Sequence, residues 1–339
     1  MSRRRTPVLS VVTLLLLVAC GGGGDDDASP TPPAPTTTLA PFAPLTGLRL
    51  PDQARLARPA LTIKVDNSPA ARPQSGLEAA DVVYEEIVEG GVTRFLAVFH
   101  STDADLVGPV RSVRPSDPDI IAPFRGLFGY SGGIPPFIEA LRRTPGITDV
   151  GVDVLDEGPD KAYSRRPGKA APNNLYTSTA KLYAAAPAGA GQPPDRFAEF
   201  RGEGEPFTAA GATAGTTLTA TVGTTAVTFN YDAASNTYRR AGLAEGSTVV
   251  APANVIVQFT PYQQTGERDQ SDTPVERAVT VGSGDALIVS GGMAVQARWS
   301  KSSAGAYTTY TDSAGAPIRL APGRTWVELA RTGANASAR

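Results

Sequence analysis

One short apolar run decides where this chain can begin to fold. Residues 8–19 (VLSVVTLLLLVA) follow three arginines and end at Cys20, which precedes four glycines. A charged segment followed by a short apolar one is typical of a secretory signal, and this run is too short to span a bilayer comfortably. Residues 21–44, rich in Gly, Asp, Pro and Thr, lack apolar periodicity and predict a disordered tether. We therefore expect folding to begin near Leu45.

The apolar run and its cysteine resemble a bacterial lipobox, Leu17-Val18-Ala19-Cys20. In such a sequence the thiol is acylated, with palmitate for example, and the cysteine becomes the first residue of the mature chain. The alternative, an ordinary cleaved signal, leaves the one cysteine of a secreted protein without a partner. We therefore predict a lipoprotein signal peptide over 1–19 and an acylated Cys20 with its tether over 20–44. Two or three acyl chains give stable anchoring, which places the protein on the extracytoplasmic face of the cell membrane.

Composition excludes several classes of function. The 31 Lys and Arg residues against 33 Asp and Glu residues argue against a nucleic-acid partner, since such binders usually carry a basic excess. One cysteine and one histidine cannot form a zinc finger, an iron–sulfur site or a disulfide within the chain. A nucleophilic triad would have to use His100. Because His100 is the last residue of a predicted apolar strand, we expect a buried or half-buried histidine and not a general base. No cofactor is evident, and the sequence does not decide whether the chain is an enzyme.

Between about Leu45 and Phe200, apolar runs of strand type alternate with helical patterns. Strands are predicted over 61–66, 81–88 and 93–100, and helices over 135–143 and 177–183. Gly90-Gly91 indicates a hairpin between the second and third strands. This mixture predicts an α/β domain over 45–205.

The helical pattern fades after residue 215. Short strands are predicted over 217–227, 254–260, 286–290, 293–299 and 325–329. They indicate a β-rich domain over 215–330 and a polar tail over 331–339. The predicted fold class is therefore a mixed N-terminal α/β or α+β domain followed by a β-dominated C-terminal domain.

Two arginines are the leading candidates for a binding site. Arg111 and Arg114 lie three residues apart in a segment bracketed by prolines. Two guanidinium forks on a constrained backbone could hold a phosphate or carboxylate bidentately. The alternative is that both arginines are paired within a structural network whose acidic members are Glu85, Glu86 or Glu89.

Polar residues at strand ends add further candidates. Asp66 and Asn67 end a predicted strand, where open α/β sheets tend to bind ligands, although the pair is also a common turn signal. Glu85 could supply oxygen to Mg²⁺ or Ca²⁺. Because Glu85 and Glu86 are adjacent on a strand, they point to opposite faces, and at most one shares a site with the arginines.

Several segments of the chain resemble the YerB-like lipoproteins. They are residues 44–47 (PLTG), 65–67 (VDN), 71–77 (ARPQSGL), 80–85 (ADVVYE), 88–94 (VEGGVTR), 108–114 (GPVRSVR), 254–258 (NVIVQ), 282–284 (GSG) and 322–326 (PGRTW). The similarity extends over roughly 44–330. It implies a two-domain, lipid-anchored surface protein containing domains of unknown function.

A weaker likeness concerns the N-terminal domain. The order of a strand led by Asp81, a hairpin, the arginine segment and Gly132-Gly133 before a helix is similar to the LytR–CpsA–Psr phosphotransferases. Those enzymes move glycan polymers from polyprenyl-pyrophosphate carriers onto the cell wall. The likeness implies that Asp81 would assist Mg²⁺ binding and that Arg111 or Arg114 would hold the pyrophosphate. In that family an acidic residue follows the arginine, whereas Ser112 and Pro115 follow here.

Three functional hypotheses remain open. The leading one is an envelope lipoprotein whose α/β domain binds an anionic ligand or cell-wall component near Arg111 and Arg114. The second is a Mg²⁺-dependent phosphotransferase acting on polyprenyl-pyrophosphate-linked glycan. The third is a protein–protein scaffold that uses an edge of the β-rich domain.

Overall fold

The computed structural model describes residues 40–242 and 248–339. The predicted signal peptide, Cys20 and nearly all of the predicted tether lie outside the described residues. The region 40–339 forms one compact unit. In the described ranges, no helix is both long enough and apolar enough to cross a membrane.

Helices are short and lie between residues 53 and 185. They are α1 (Gln53–Ala57), α2 (Asp117–Ile121), α3 (Pro135–Arg142), α4 (Val152–Leu155) and α5 (Thr179–Ala185), with 3₁₀ turns at Pro69–Ala71, Leu77–Ala79, Glu89–Gly91 and Ala122–Phe124. The two predicted helices are confirmed as α3 and α5. Helix α3 begins with two prolines, which suit a first helical turn, and the Ser178 side chain caps α5 by accepting from the Lys181 backbone N–H.

Strands make up most of the fold. They are β1 (Leu61–Asp66), β2 (Val82–Ile87), β3 (Thr93–Phe99), β4 (Leu127–Gly129), β5 (Thr148–Asp149), β6 (Ser164–Arg165), β7 (Leu175–Tyr176), β8 (Thr213–Ala214), β9 (Thr217–Val222), β10 (Thr225–Asp232), β11 (Thr237–Arg240), β12 (Asn254–Thr260), β13 (Tyr262–Arg268), β14 (Pro274–Ala278), β15 (Gly282–Ser290), β16 (Met293–Lys301), β17 (Thr309–Thr311), β18 (Thr325–Arg331) and β19 (Ala336–Ala338). The single strand predicted over 217–227 is wrong. The chain reverses at Gly223, which has φ +61°, so β9 and β10 form a hairpin.

One mixed sheet of 11 strands organises the molecule. Its order is β17-β16-β15-β12-β18-β2-β3-β1-β4-β5, with β8 pairing β16 beside this path. Strand β18 pairs in parallel with β12 on one side and with β2 on the other. Strands from both predicted regions, 45–205 and 215–330, therefore share one sheet, and the boundary between those regions stays a prediction.

Both faces of the central strands are covered. A four-stranded sheet, β11-β10-β9-β19, packs on one face, where Phe229 meets Phe95 and Trp326. Helix α3 packs on the other face, where Phe137 and Leu96 both belong to a second hydrophobic core. Strand β19 comes from the segment 331–339 that we predicted as a polar tail. Because β1, β2 and β3 are buried along their whole length, every charged residue on them must find a partner inside the protein.

Candidate functional site

A cleft of about 470 Å³ opens beside the arginine segment. Four arginines line it: Arg94 on β3, Arg111 and Arg114 on the loop that follows, and Arg268 at the end of β13. The segment 131–135, which leads into α3, also lines the cleft, and the Ser131 backbone N–H donates to the Arg111 carbonyl over 3.0 Å. The cleft therefore gathers basic side chains from separate elements onto one surface.

Arg111 and Arg114 each have a carboxylate partner. Arg111 Nε donates to Asp66 Oδ2 over 3.1 Å, and Arg114 Nε donates to Glu89 Oε2 over 2.8 Å. Of the glutamates that the structural alternative named, Glu89 thus pairs with an arginine of the cleft. Of the predicted candidates, Arg111 and Arg114 line the cleft, and Asp66 contacts this pair through Arg111 without lining the cleft itself.

Arg94 is a cleft residue that the sequence analysis missed. Its Nη1 donates to the carbonyl oxygen of Ser112 over 2.9 Å and to the Ser112 hydroxyl over 3.2 Å. The residue is 6% exposed, and burial followed by repulsion from Arg114 lowers the pKa of Arg94 to about 9. The available signal in the sequence was a charged residue directly before the apolar run 95–99. In the structure, the register between β1 and β3 places Arg94 opposite Asp66.

Asp66 and Asn67 belong to different environments. Asp66 Oδ2 also accepts from Asn173 Nδ2 over 2.8 Å, and this carboxylate closes one side of the arginine group. Asn67 Nδ2 donates to Thr93 Oγ1 over 2.7 Å and to Glu85 Oε1 over 3.1 Å. Asn67 is therefore part of a buried polar network on the other face of the sheet.

Glu85 lies in that second network, away from the cleft. Its Oε2 accepts from Arg240 Nη1 over 2.5 Å, and Glu328 on β18 is its parallel neighbour. Glu86, by contrast, pairs with Lys64 on the cleft side of the sheet. The prediction that Glu85 and Glu86 point to opposite faces is confirmed.

Asp81 is not brought together with the arginines. It precedes β2, whereas Arg94 lies opposite Glu86 near the other end of that strand, a separation of about 17 Å at 3.3 Å per residue. Its carboxylate accepts from the backbone N–H groups of His100 and Ser101, each over 2.7 Å. Burial raises the pKa of Asp81 despite these bonds.

His100 is fully buried, and neither ring nitrogen has a hydrogen-bond partner among the described residues. Burial and then the charge of Arg58 lower the pKa of His100 to about 4. The expectation of a buried histidine is confirmed.

A buried ionic triad supports the arginine segment from behind. Lys64 Nζ donates to Glu86 Oε1 and, over 2.6 Å, to Asp117 Oδ1, and all three side chains are fully buried. The backbone N–H of Arg114 donates to Asp117 Oδ2 over 2.7 Å, and that of Arg111 donates to the Lys64 carbonyl over 2.9 Å. The triad therefore fixes the loop that carries both arginines.

Burial and neighbouring charges shift the pKa values of the two acids of this triad in opposite directions. Burial, followed by attraction to Lys64 and repulsion from Glu86, leaves the pKa of Asp117 raised to about 7. Burial also acts to raise the pKa of Glu86, but attraction to Lys64 outweighs it and lowers that pKa overall. The negative charge of the triad therefore resides on Glu86.

Across residues 40–242 and 248–339, no group of three or more His, Cys, Asp and Glu side chains has the arrangement to hold a metal ion.

Two family models match this chain in succession. "Protein of unknown function (DUF3048) N-terminal domain" matches residues 45–191, and "Protein of unknown function (DUF3048) C-terminal domain" matches residues 217–327. The chain belongs to this two-domain, YerB-like DUF3048 family. The predicted family resemblance is confirmed. Within the DUF3048 arrangement, the cleft takes Arg94, Arg111 and Arg114 from the N-terminal region and Arg268 from the C-terminal region.

A named relative and a solved structure agree with membership of the DUF3048 family. "Putative lipoprotein YerB" of Bacillus subtilis (strain 168) is 45% identical over 93 residues, which cover 27% of this chain and 28% of that protein. The crystal structure of the YerB protein from Bacillus subtilis has a TM-score of 0.72 and 26% sequence identity, covering 88% of this chain and 99% of the YerB chain. The similarity in fold thus extends well beyond the 93 closely matching residues.

Proposed function

We propose that this protein is a lipid-anchored envelope protein that binds an anionic ligand or cell-wall component in the arginine cleft. An acylated Cys20 would hold it on the extracytoplasmic face of the membrane, and the mixed α/β region would carry the binding residues. The observation that carries the proposal is that four arginines, Arg94, Arg111, Arg114 and Arg268, line one cavity whose lining, among the described residues, contains a single acid, Asp269. The cleft thereby holds more positive than negative charge.

The geometry favours a bound anion over a purely structural role. A structural ion-pair network reaches neutrality by itself, whereas this group has an arginine without a carboxylate partner among the described residues. Guanidinium groups that keep free N–H donors in a partly buried cleft bind oxyanions through short, charge-assisted hydrogen bonds. The cleft is also open to solvent beside the side chain of Arg111, which is 29% exposed.

We expect the double variant Arg111→Ala, Arg114→Ala to bind inorganic phosphate at least about tenfold more weakly, since hydrogen bonds to charged groups contribute about 1.5–3 kcal/mol each. The variant also leaves Asp66 and Glu89 facing the cleft without their partners. Isothermal titration calorimetry on the purified chain measures the effect, and circular dichroism checks the fold.

The matched control is Arg298→Ala, Asp285→Ala, which removes an exposed ion pair between β15 and β16 and should leave phosphate affinity unchanged. Equal affinity of the wild type and the arginine double variant would mean that the anion binds elsewhere. The titration is made at pH 6, where inorganic phosphate is mostly singly charged, and no measurable binding by the wild type there would argue against the cleft as an anion site.

Replacing Cys20 with alanine should abolish incorporation of labelled palmitate, because the chain has one cysteine and acylation requires its thiol. Metabolic labelling followed by immunoprecipitation measures this directly. It is a better readout than membrane release, since an uncleaved apolar signal could itself retain the variant at the membrane. Ser29→Ala in the predicted tether is the control that keeps its label, and a labelled Cys20→Ala chain would contradict lipidation at this position.

A further inference from the structure

Arg94 has one edge of its guanidinium group unused. Its Nη1 is held by the carbonyl and the hydroxyl of Ser112. Among the described residues, Nε has no hydrogen-bond partner although it is buried, and Nη2 donates to no protein group. Nε and Nη2 lie on the same edge of the planar group, and their parallel N–H bonds match two oxygens of one carboxylate or phosphate.

Neighbouring residues fix the direction of this edge. Arg94 lies on β3 between β1 and β2, opposite Asp66 and Glu86. Ser112 holds Nη1 with two acceptors, and its hydroxyl also accepts from Arg114 Nη1 over 3.0 Å. An edge that is oriented before the ligand arrives loses little side-chain freedom on binding.

Charge balance indicates how much negative charge the cleft accepts. Arg111 is paired with Asp66 and Arg114 with Glu89, so Arg94 contributes the one uncompensated positive charge of this group among the described residues. Behind it, Lys64 offsets the charge of Glu86, and at pH 6 the raised pKa of Asp117 keeps that acid protonated. At the cleft mouth, Arg268 is paired with Asp272. The carboxylate of Asp269, which also lines the cleft, accepts from the backbone N–H groups of Ser271 and Thr273 and adds negative charge there.

We propose that the Nε–Nη2 edge of Arg94 is the primary anion contact of the cleft and that it takes a singly charged oxyanion, either a carboxylate or a phosphodiester. This inference rests on the proposed anion binding and names its ligand class. Arg111 and Arg114 frame the bound group. Their carboxylate partners disfavour a second negative charge, because a dianion would leave one charge unmatched in a largely buried site.

The ligand class is tested at pH 6 with acetate, dimethyl phosphate and sulfate, titrated into the full chain in detergent and followed by calorimetry or NMR. We expect acetate or dimethyl phosphate to bind at least as tightly as the doubly charged sulfate. The tighter of the two identifies the source of the oxyanion, carboxylate or phosphodiester. Sulfate binding more than about tenfold tighter than both, a difference of about 1.4 kcal/mol, would overturn the proposal.

The contact itself is tested with Arg94→Lys, which keeps the charge and removes the fork. We expect it to bind the preferred monoanion at least about tenfold more weakly. Arg298→Lys, a change of an arginine outside the cleft whose side chain is 60% exposed, should change affinity less than about twofold. An unchanged affinity in Arg94→Lys would mean that charge alone matters, and equal losses in both variants would mean that the loss is not specific to Arg94. Either result would overturn the proposal.

A measurement on the wild type guards against misfolding of the variant. In ¹⁵N-edited NMR, the Nε–H resonance of Arg94 should move downfield as the monoanion saturates the protein. If other cleft resonances shift while the Arg94 Nε–H resonance does not, the anion binds but Arg94 is not its contact. In that case the inference about Arg94 fails while the proposed anion binding stands. If none of the three anions binds, the proposed function fails together with it.

Discussion

Replacing Arg240 with methionine is expected to lower the free energy of unfolding by about 3–5 kcal/mol, the cost of removing one partner from a buried ion pair. Arg240 lies on β11, and its side chain is 5% exposed. It reaches from the four-stranded sheet to the main sheet, where Nη1 donates to Glu85 over 2.5 Å and lies 3.6 Å from Glu328 Oε1. Its guanidinium also stacks 4.9 Å from the ring centre of Trp326.

The size of this effect follows from the Glu85 carboxylate, which the Arg240→Met variant leaves in the core without its partner. Burial works against the charged form of Glu85, but attraction to Arg240 outweighs burial and lowers the pKa of Glu85. Without the arginine, the carboxylate stays in the core without a cation or must take up a proton. Burial and repulsion from Glu85 raise the pKa of Glu328 well above its usual value. Because an acid carries no positive charge in either protonation state, Glu328 cannot replace the cation that Arg240 supplies.

Urea unfolding monitored by tryptophan fluorescence measures the loss, with two controls. Glu328→Gln should cost much less than Arg240→Met, since burial already works against the charged form of Glu328 and an amide in its place can still accept from Trp326 Nε1. Arg239→Met removes the adjacent arginine, whose side chain is 58% exposed, and should cost about 1 kcal/mol or less. A similar loss in Arg239→Met and Arg240→Met would show that the buried pair does not hold the two sheets together.

The second large effect is a pH dependence of stability that should disappear in Asp117→Asn. Because the folded-state pKa of Asp117 is raised from 3.8 to about 7, its contribution to stability is fully present below the unfolded value and is lost as the pH rises through about 7. The wild type should therefore lose about 1.4 kcal/mol per pH unit relative to the asparagine variant within that window, about 4 kcal/mol in total.

Urea unfolding of both proteins at pH intervals from 4 to 8 gives this difference directly. Ser290→Ala serves as a control that removes a buried hydroxyl, which donates to Asn254 Oδ1 over 2.7 Å, but no titrating group. The free energy of unfolding of this control should be lower than that of the wild type by a similar amount at every pH. Parallel curves for the wild type and Asp117→Asn would show that Asp117 titrates normally in the folded protein.

Features that depend on residues close together in sequence were predictable. Strands β1 and β3 follow from apolar runs, α3 from prolines at its start, and α5 from the cap at Ser178. The pairing of Arg111 and Arg114 at one site follows from their spacing of three on a constrained loop. Each of these signals lies within about ten residues, where local sterics and hydrogen bonding decide the conformation.

Features that depend on distant pairing were not predictable. Arg94 joins the cleft because β3 lies between β1 and β2 in one register, and a single sequence does not state register. Glu85 meets Arg240 across 155 positions of sequence, and nothing near either residue indicates the other. The turn at Gly223 was missed because β-branched residues flank it on both sides and continue the strand pattern.

The position of β18 has a consequence for how the protein is made. This strand, Thr325–Arg331, lies between β12 and β2 in the middle of the main sheet, yet it is synthesised after both of them, and 243 positions of sequence separate Thr325 from its partner Val82. Until then β2 presents an open, hydrogen-bonding edge, and closing the sheet requires contacts between residues far apart in sequence, which fold slowly. A nascent chain interrupted before Thr325 would thus expose an unpaired central strand that could pair with other chains.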